Sequence, residues 1–233
     1  MQAWGLVDMA ARRPKDDELA RLLECRGMDL VEMDPGTQDV SFARPGVSLD
    51  LGGIGKGYAA DQIASLLLER GVRSGAMLSG RSTVLAWGLP EREESWQVEI
   101  CHPSDDDEIL CRLSMSPGAL STSSAAERFL RSGQETYGHI IDPRDGLPTS
   151  AIEGATIWTR QAALGDVLST AIFILGREAL AEGGCVEKLV EAWTPRGEPP
   201  RASIILAEKS SGSWGGVSWE AFHIGEPGFE ASD

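Results

Sequence analysis

The chain has 233 residues, of which 42% are hydrophobic and 24% charged, a balance that suits one soluble globular domain spanning residues 1–233 and excludes disordered or fibrous classes. Its net charge of -15 disfavours nucleic acid and acidic membranes as partners, so a phosphate ligand must be held by a local exception to the surface field.

The N-terminal segment has no uninterrupted apolar stretch after a basic start, and no later segment approaches a membrane span. As written, the chain reads as unexported and cytoplasmic. From Pro14 to Leu23, acids in the first turn and Leu19, Leu22 and Leu23 on one face predict a short amphipathic helix. Met28 to Phe42 alternates around Asp34-Pro35-Gly36-Thr37, which predicts a hairpin, and VSLDL (47–51) predicts a strand. A glycine cluster follows. YAADQIASLLLERG then reads as a helix with Ile63, Leu66 and Leu67 on its apolar face and Gly71 as its stop. Strands are expected over Ala76–Trp87 and Trp96–Cys101, with another in LCRLSMSP after an acidic turn at Asp105–Glu108. Ser121–Ser124 lead into a short helix, HIIDPRDGLP makes a strand and turn, and ATIWT a further strand. ALGDVLSTAIFILG is apolar nearly all round, which predicts a buried helix, and ASIILAE reads as a strand. The Gly-, Ser- and Trp-rich C-terminal stretch carries little signal. These elements imply an α+β fold on a largely antiparallel sheet. Cys25, Cys101, Cys111 and Cys185 are too scattered for zinc and too few for a disulfide scaffold, so buried free thiols are expected.

Four constellations could carry chemistry. In DLGGIGKGY, Gly52, Gly53, Gly55 and Gly57 let backbone N–H groups approach an anion at a helix start, and Lys56 adds a positive charge; a tight turn needing glycine only for its angles is the alternative. In STSSAAERF, Ser124 and Glu127 fit a capping box, with ligand contact by Glu127 as the other reading. In YGHIIDPRDGLP, His139 is a candidate proton carrier ahead of a good turn sequence, although a lone histidine also serves structure. In GDVLSTAIF, Asp166 and Thr170 stand one helical turn apart and offer two hard oxygens suited to magnesium. The competing reading is a capping Asp and a Thr bonded back to its own helix. An Asp within an apolar helix nevertheless needs a partner.

Taken in order and spacing, LDLGGIGKGYAAD, STSSAAERF, HIIDPRDGLP and GDVLSTAIFILG resemble the bacterial FAD:protein FMN transferases of the ApbE family. The resemblance implies an ApbE-like, T-fold-like domain with FAD as substrate and Mg²⁺ as cofactor. It places Gly52, Gly53, Gly55 and Lys56 along the FAD diphosphate, assigns the metal to the Gly53 carbonyl, Asp166 and Thr170, and gives His139 flavin contact and proton transfer. Asp166 and His139 are thus the expected catalytic pair, and Glu127 corresponds to the family's glutamate after Ser-Thr-Ser. Ser79, Gly80 and Arg81 stand where many relatives have Gly-Gly-Asp and are expected to face the cofactor.

The resemblance further implies transfer of FMN to a threonine of a partner protein through a phosphoester, with release of AMP. The family's N-terminal region, often preceded by an export signal or lipoprotein anchor, is not matched, which points to the cell envelope or periplasm if such a segment is encoded upstream. A flavin-binding protein without catalysis and an FAD pyrophosphatase are the rival expectations.

Overall fold

The computed structural model describes residues 2–5, 12–103, 105–124, 129–132, 135–149, 151–209 and 216–232. In chain order the elements are α1 (Asp16–Leu23), β1 (Val31–Asp34), β2 (Asp39–Phe42), α2 (Gly55–Glu69), β3 (Gly75–Ser79), β4 (Thr83–Trp87), β5 (Trp96–His102) and β6 (Asp105–Met115). They continue with β7 (Gly118–Ser124), β8 (Phe129–Ser132), β9 (Glu135–Gly138), β10 (Gly154–Thr159), α3 (Ala162–Leu175), α4 (Cys185–Trp193), β11 (Ala202–Lys209), β12 (Val217–Ile224) and β13 (Phe229–Ser232). The chain groups into two compact units, residues 1–51 with 128–149 and residues 52–127 with 150–233.

In the first unit, β1 and β2 form the expected hairpin, with Asp34 Oδ1 accepting the Gly36 N–H at 2.7 Å to close its turn. Leu19 and Leu23 of α1 lean on Gly146, which has the left-handed φ of 75° at the end of the Asp-Pro-Arg-Asp turn. That turn is closed by Gly146 N–H donating to Asp142 O at 2.8 Å and Asp142 N–H donating to Leu147 O at 2.7 Å. The strand expected ahead of it is only an isolated bridge, Ile141 to Pro148. Residues 47–51 form no strand either. Leu49 and Leu51 are exposed, and among the described residues no neighbouring strand takes up their backbone.

The second unit is built on a six-stranded antiparallel sheet in the order β12-β11-β10-β7-β4-β3. Successive residues of a strand point to opposite faces, so the pairs Leu85/Ala86 and Ala119/Leu120 split the core in two. Leu85 and Ala119 meet Ala60 and Ala64 of α2 and Ala162 of α3. Ala86 and Leu120, with Trp158 and Ile205, meet Ile100, Leu113, Met115 and Phe229 of a second sheet, β13-β6-β5. Helices therefore cover one face and a small sheet the other, in keeping with the expected α+β class.

Several local expectations change. The segment expected as one strand over Ala76–Trp87 is a hairpin folded at Gly80-Arg81-Ser82, with Ser79 opposite Thr83. The acidic residues 105–108 begin β6 instead of forming a turn. Ser121–Ser124 end strand β7, residues 125–128 lie outside the described residues, and 129–132 are strand, so no helix is seen there among the described residues. Helix α2 turns the opposite way from the expectation. Its buried residues are Gly57, Ala60 and Ala64, while Ile63 and Leu66 are 44% and 49% exposed. Of the cysteines, Cys111 is buried and Cys101 exposed, all four being free thiols. Among the described residues no helix is long and apolar enough to cross a membrane.

Candidate functional site

The site in the second unit grows from the meeting of α2 and α3. α2 starts at Gly55, three residues before the expected Tyr58, so the second half of the glycine loop is its first turn. Ile54, its N-cap residue, gives no side-chain cap, and neither does Gln161 ahead of α3. First-turn N–H groups have no intrahelical acceptor and must find one elsewhere. Each helix finds it on the other. Gly57 N–H donates to Asp166 Oδ2 at 2.9 Å, and the N–H groups of Ala162 and Ala163 donate to Asp61 Oδ1 and Oδ2 at 2.8 and 2.9 Å.

This reciprocal capping requires a very close approach. A Cβ on Gly57 would lie 2.2 Å from the carbonyl oxygen of Ala162, so only glycine fits there. The same geometry explains why α2 buries small residues and leaves Ile63 and Leu66 outward.

One helical turn after Asp166, Thr170 Oγ1 donates to the Asp166 carbonyl at 3.1 Å and lies 3.3 Å from Ser123 Oγ of β7. The back-bonded threonine of the simpler sequence reading is therefore present. The position is also close to the glycine loop, since a Cβ on Gly53 would stand 3.5 Å from Thr170 Oγ1. Asp166 is 5% exposed.

The loop, Asp166 and Thr170 thus share one spot. A carboxylate and a hydroxyl beside the glycine loop make a hard-oxygen set with a single negative charge, which fits magnesium retaining waters or substrate phosphates. Among the described residues, no three His, Cys, Asp or Glu side chains gather in the manner of a dedicated protein-only metal cage.

Lys56, second residue of α2 and half-buried, donates a hydrogen bond to Ser82 Oγ. Ser82 closes the β3–β4 turn after Gly80, whose φ is 63°, and its carbonyl accepts the Thr122 N–H of β7 at 2.7 Å. Of the segment from Ser79 to Arg81 singled out by sequence, the contact with the lysine falls on the next residue, Ser82. Gly80, Arg81, Ser82 and Thr122 also border a cavity of about 630 Å³ between the two sheets, floored by residues such as Val84 and Leu120.

His139 belongs to the first unit, where it is half-buried between β9 and the Asp142 turn. Around that turn Trp4 Nε1 donates to Gly146 O at 2.9 Å, and the Trp4 and Tyr137 rings pack with centroids 5.0 Å apart. Arg144 grips Asp142 through Nε and a terminal nitrogen, the latter at 2.6 Å, and this guanidinium holds the Asp142 carboxyl below its usual value. Glu127 lies outside the described residues.

Sequence reading passed over Asp61, Gly57 as a packing residue, Ser82 and Ser123. Asp61 had a detectable signal, a carboxylate one turn beyond a glycine-rich helix start with no apolar reason to be half-buried.

The model of the ApbE family matches residues 1–193. Among curated relatives, the FAD:protein FMN transferase of Treponema pallidum is 32% identical over 193 residues, covering 76% of this chain and 53% of the relative. That of Klebsiella pneumoniae is 29% identical over 171 residues, covering 72% of this chain and 50% of the relative. The chain spans about half the length of these relatives. The crystal structure of the ApbE protein from Thermotoga maritima superposes with a TM-score of 0.72 at 27% identity, covering 93% of this chain and 66% of that one. With the family model spanning far more than half of its residues, the chain belongs to the ApbE family.

Proposed function

We propose that this protein is a magnesium-dependent FAD:protein FMN transferase whose two units are parts of one flavin-transferase-like domain. The observation that supports it best is the approach of the glycine–lysine end of α2 to Asp166 and Thr170 on α3. The names of the relatives supply the substrate pair, FAD and a protein acceptor.

In this reading the Gly53 carbonyl, Asp166 and Thr170 would hold Mg²⁺, which would offset negative charge on the diphosphate. The N-terminal turn of α2 presents backbone N–H groups and the Lys56 ammonium to the same diphosphate, and Gly52 and Gly55 allow it close access. Gly80 and Arg81, with Ser79 behind them, border the cofactor. A threonine hydroxyl of the acceptor attacks the phosphorus nearer riboflavin. Its proton passes to His139, the P–O bond to the adenylate half breaks, and AMP leaves with that bridging oxygen. FMN stays on the acceptor through a new phosphoester. Most of the rate comes from placing the phosphorus and stabilising charge, because the side chains form no covalent bond to it.

The test is incubation of the purified chain with FAD, Mg²⁺ and a candidate acceptor protein, following AMP by chromatography and flavin fluorescence on the denatured acceptor. Stoichiometric AMP and acceptor-bound flavin are expected, with Asp166→Ala losing on the order of 10²-fold or more in rate. Unchanged turnover in Asp166→Ala overturns the metal assignment. AMP with free FMN, and no flavin on any acceptor, identifies a pyrophosphatase; FAD retained without AMP identifies a binding protein.

A further inference from the structure

We infer that Ser82 is the positioning residue for Lys56, holding its ammonium at the place where the ligand diphosphate is to be met. The inference rests on the proposed reading of Lys56 as a phosphate contact and adds the residue that aims it. Ser82 is 4% exposed. Its hydroxyl accepts a hydrogen bond from Lys56 Nζ, and its carbonyl is tied to the neighbouring strand through the Thr122 N–H at 2.7 Å. The hydroxyl is thus a fixed post on the rim of the sheet.

A lysine has a four-carbon stem with many rotamers and three rotatable donors, so an untethered ammonium loses conformational freedom each time it meets an anion. One donor held by Ser82 removes much of that loss beforehand. The turn geometry supports this role. Gly80 takes the left-handed conformation that a three-residue connection between Ser79 and Thr83 needs, and this seats Ser82 inward while Arg81 stays exposed. Neither serine nor lysine is in an interchangeable position: Lys56 is fixed on the first turn of α2, and Ser82 is fixed by β4 and β7.

If Lys56 contacts the diphosphate throughout the reaction, losing its aim weakens ground and transition states alike, so binding suffers more than turnover. The experiment uses the full chain and measures the FAD dissociation constant by flavin fluorescence, with KM and kcat for AMP release, in Ser82→Ala, Ser82→Thr, Lys56→Met and the Lys56→Met/Ser82→Ala double variant. Ser82→Ala is expected to raise Kd and KM about tenfold with kcat within about threefold of the parent, the size expected for one hydrogen bond to a charged group. Ser82→Thr, which keeps the hydroxyl, is expected to restore binding to within about threefold. In the Lys56→Met background Ser82→Ala is expected to add nothing, because its effect acts through the lysine.

A second readout needs no flavin. The Lys56 ammonium is expected to give a slowly exchanging 1H–15N resonance in the free protein that Ser82→Ala removes and Ser82→Thr retains. Equal losses from Ser82→Ala with and without Lys56 would indicate a structural role and overturn the inference. So would unchanged FAD binding in Ser82→Ala beside weakened binding in Lys56→Met. Unchanged binding in Lys56→Met overturns the phosphate role of the lysine itself, and the inference falls with it even where the ammonium resonance depends on Ser82.

Discussion

Replacing Asp61 by alanine removes both acceptors for the first two N–H groups of α3, Ala162 and Ala163, which lie at 2.8 and 2.9 Å from its carboxylate. Loss of an N-cap acceptor costs about 0.5–2 kcal/mol. Here two donors are stranded at once, and Ala162 and Ala163 are themselves buried, so the upper end of that range applies, about 2 kcal/mol. For a unit of this size each kcal/mol moves the melting temperature by roughly 2–4 °C, giving an expected fall of roughly 4–8 °C. Asp61→Asn keeps one acceptor oxygen and loses the negative charge at the helix start, a charge contribution of about 0.3–1 kcal/mol, so it should melt between the two. The assay is scanning calorimetry of the three proteins side by side, with hydrogen exchange of the Ala162 and Ala163 amides as the local probe. An Asp61→Ala protein melting within about 1 °C of the parent would refute the view that these bonds hold α2 to α3.

Gly57→Ala places a methyl where the Ala162 carbonyl stands, 2.2 Å away, and the overpacking cost of about 1–3 kcal/mol should exceed the ~1 kcal/mol that alanine gains in a helix interior, lowering the melting temperature. Thr83 Oγ1 is buried without a hydrogen-bond partner among the described residues, so Thr83→Val should be neutral or stabilising by about 1 kcal/mol in a denaturant titration, and a loss of more than about 1 kcal/mol would show that the hydroxyl has a partner. Arg144 holds the Asp142 carboxyl below its usual value of 3.8, so the charged pair stabilises the first unit fully above about pH 4, and that stability is lost as pH falls through the lower folded value. The Trp4 indole N–H, bonded to the Gly146 carbonyl on the same turn, should lose its exchange protection over that acid range in the parent, and Asp142→Asn should lack this dependence on pH.

The parts of the fold that the sequence made legible are those whose signal lies within one element. α3 is apolar on nearly all sides and is buried on nearly all sides, from Ala162 to Phe173. The Asp34–Thr37 hairpin and the Asp142–Gly146 turn follow from side chains that bond their own backbone a few residues on. Where the outcome depends on a neighbour, pattern misleads. VSLDL alternates as a strand should, but a strand exists only with a partner. α2 was assigned the face with the largest side chains, whereas the approach of α3 selects Gly57, Ala60 and Ala64. α4 had a readable pair in Val186 and Val190, four residues apart and both buried, which its short length obscured. β12 alternates through Trp219 and Ala221, yet the glycines and serines ahead of it masked the pattern.

The candidate site follows the same division. Glycines with a lysine, and an aspartate inside an apolar helix, announce themselves singly. What joins them does not, because the acceptor for each helix start is carried by the other helix, in Asp61 and Asp166. A carboxylate whose Oδ2 accepts the Gly57 N–H has its orientation set by the same loop that the proposed reading lays along the diphosphate. Any displacement of the α2 start by an incoming ligand must then turn Asp166 as well. Metal and diphosphate affinities should therefore be coupled through one hydrogen bond, with each ligand tightening the binding of the other by the same factor. Mg²⁺ titrations with and without a non-hydrolysable diphosphate would measure that factor, and equal Mg²⁺ affinities in the two series would refute the coupling.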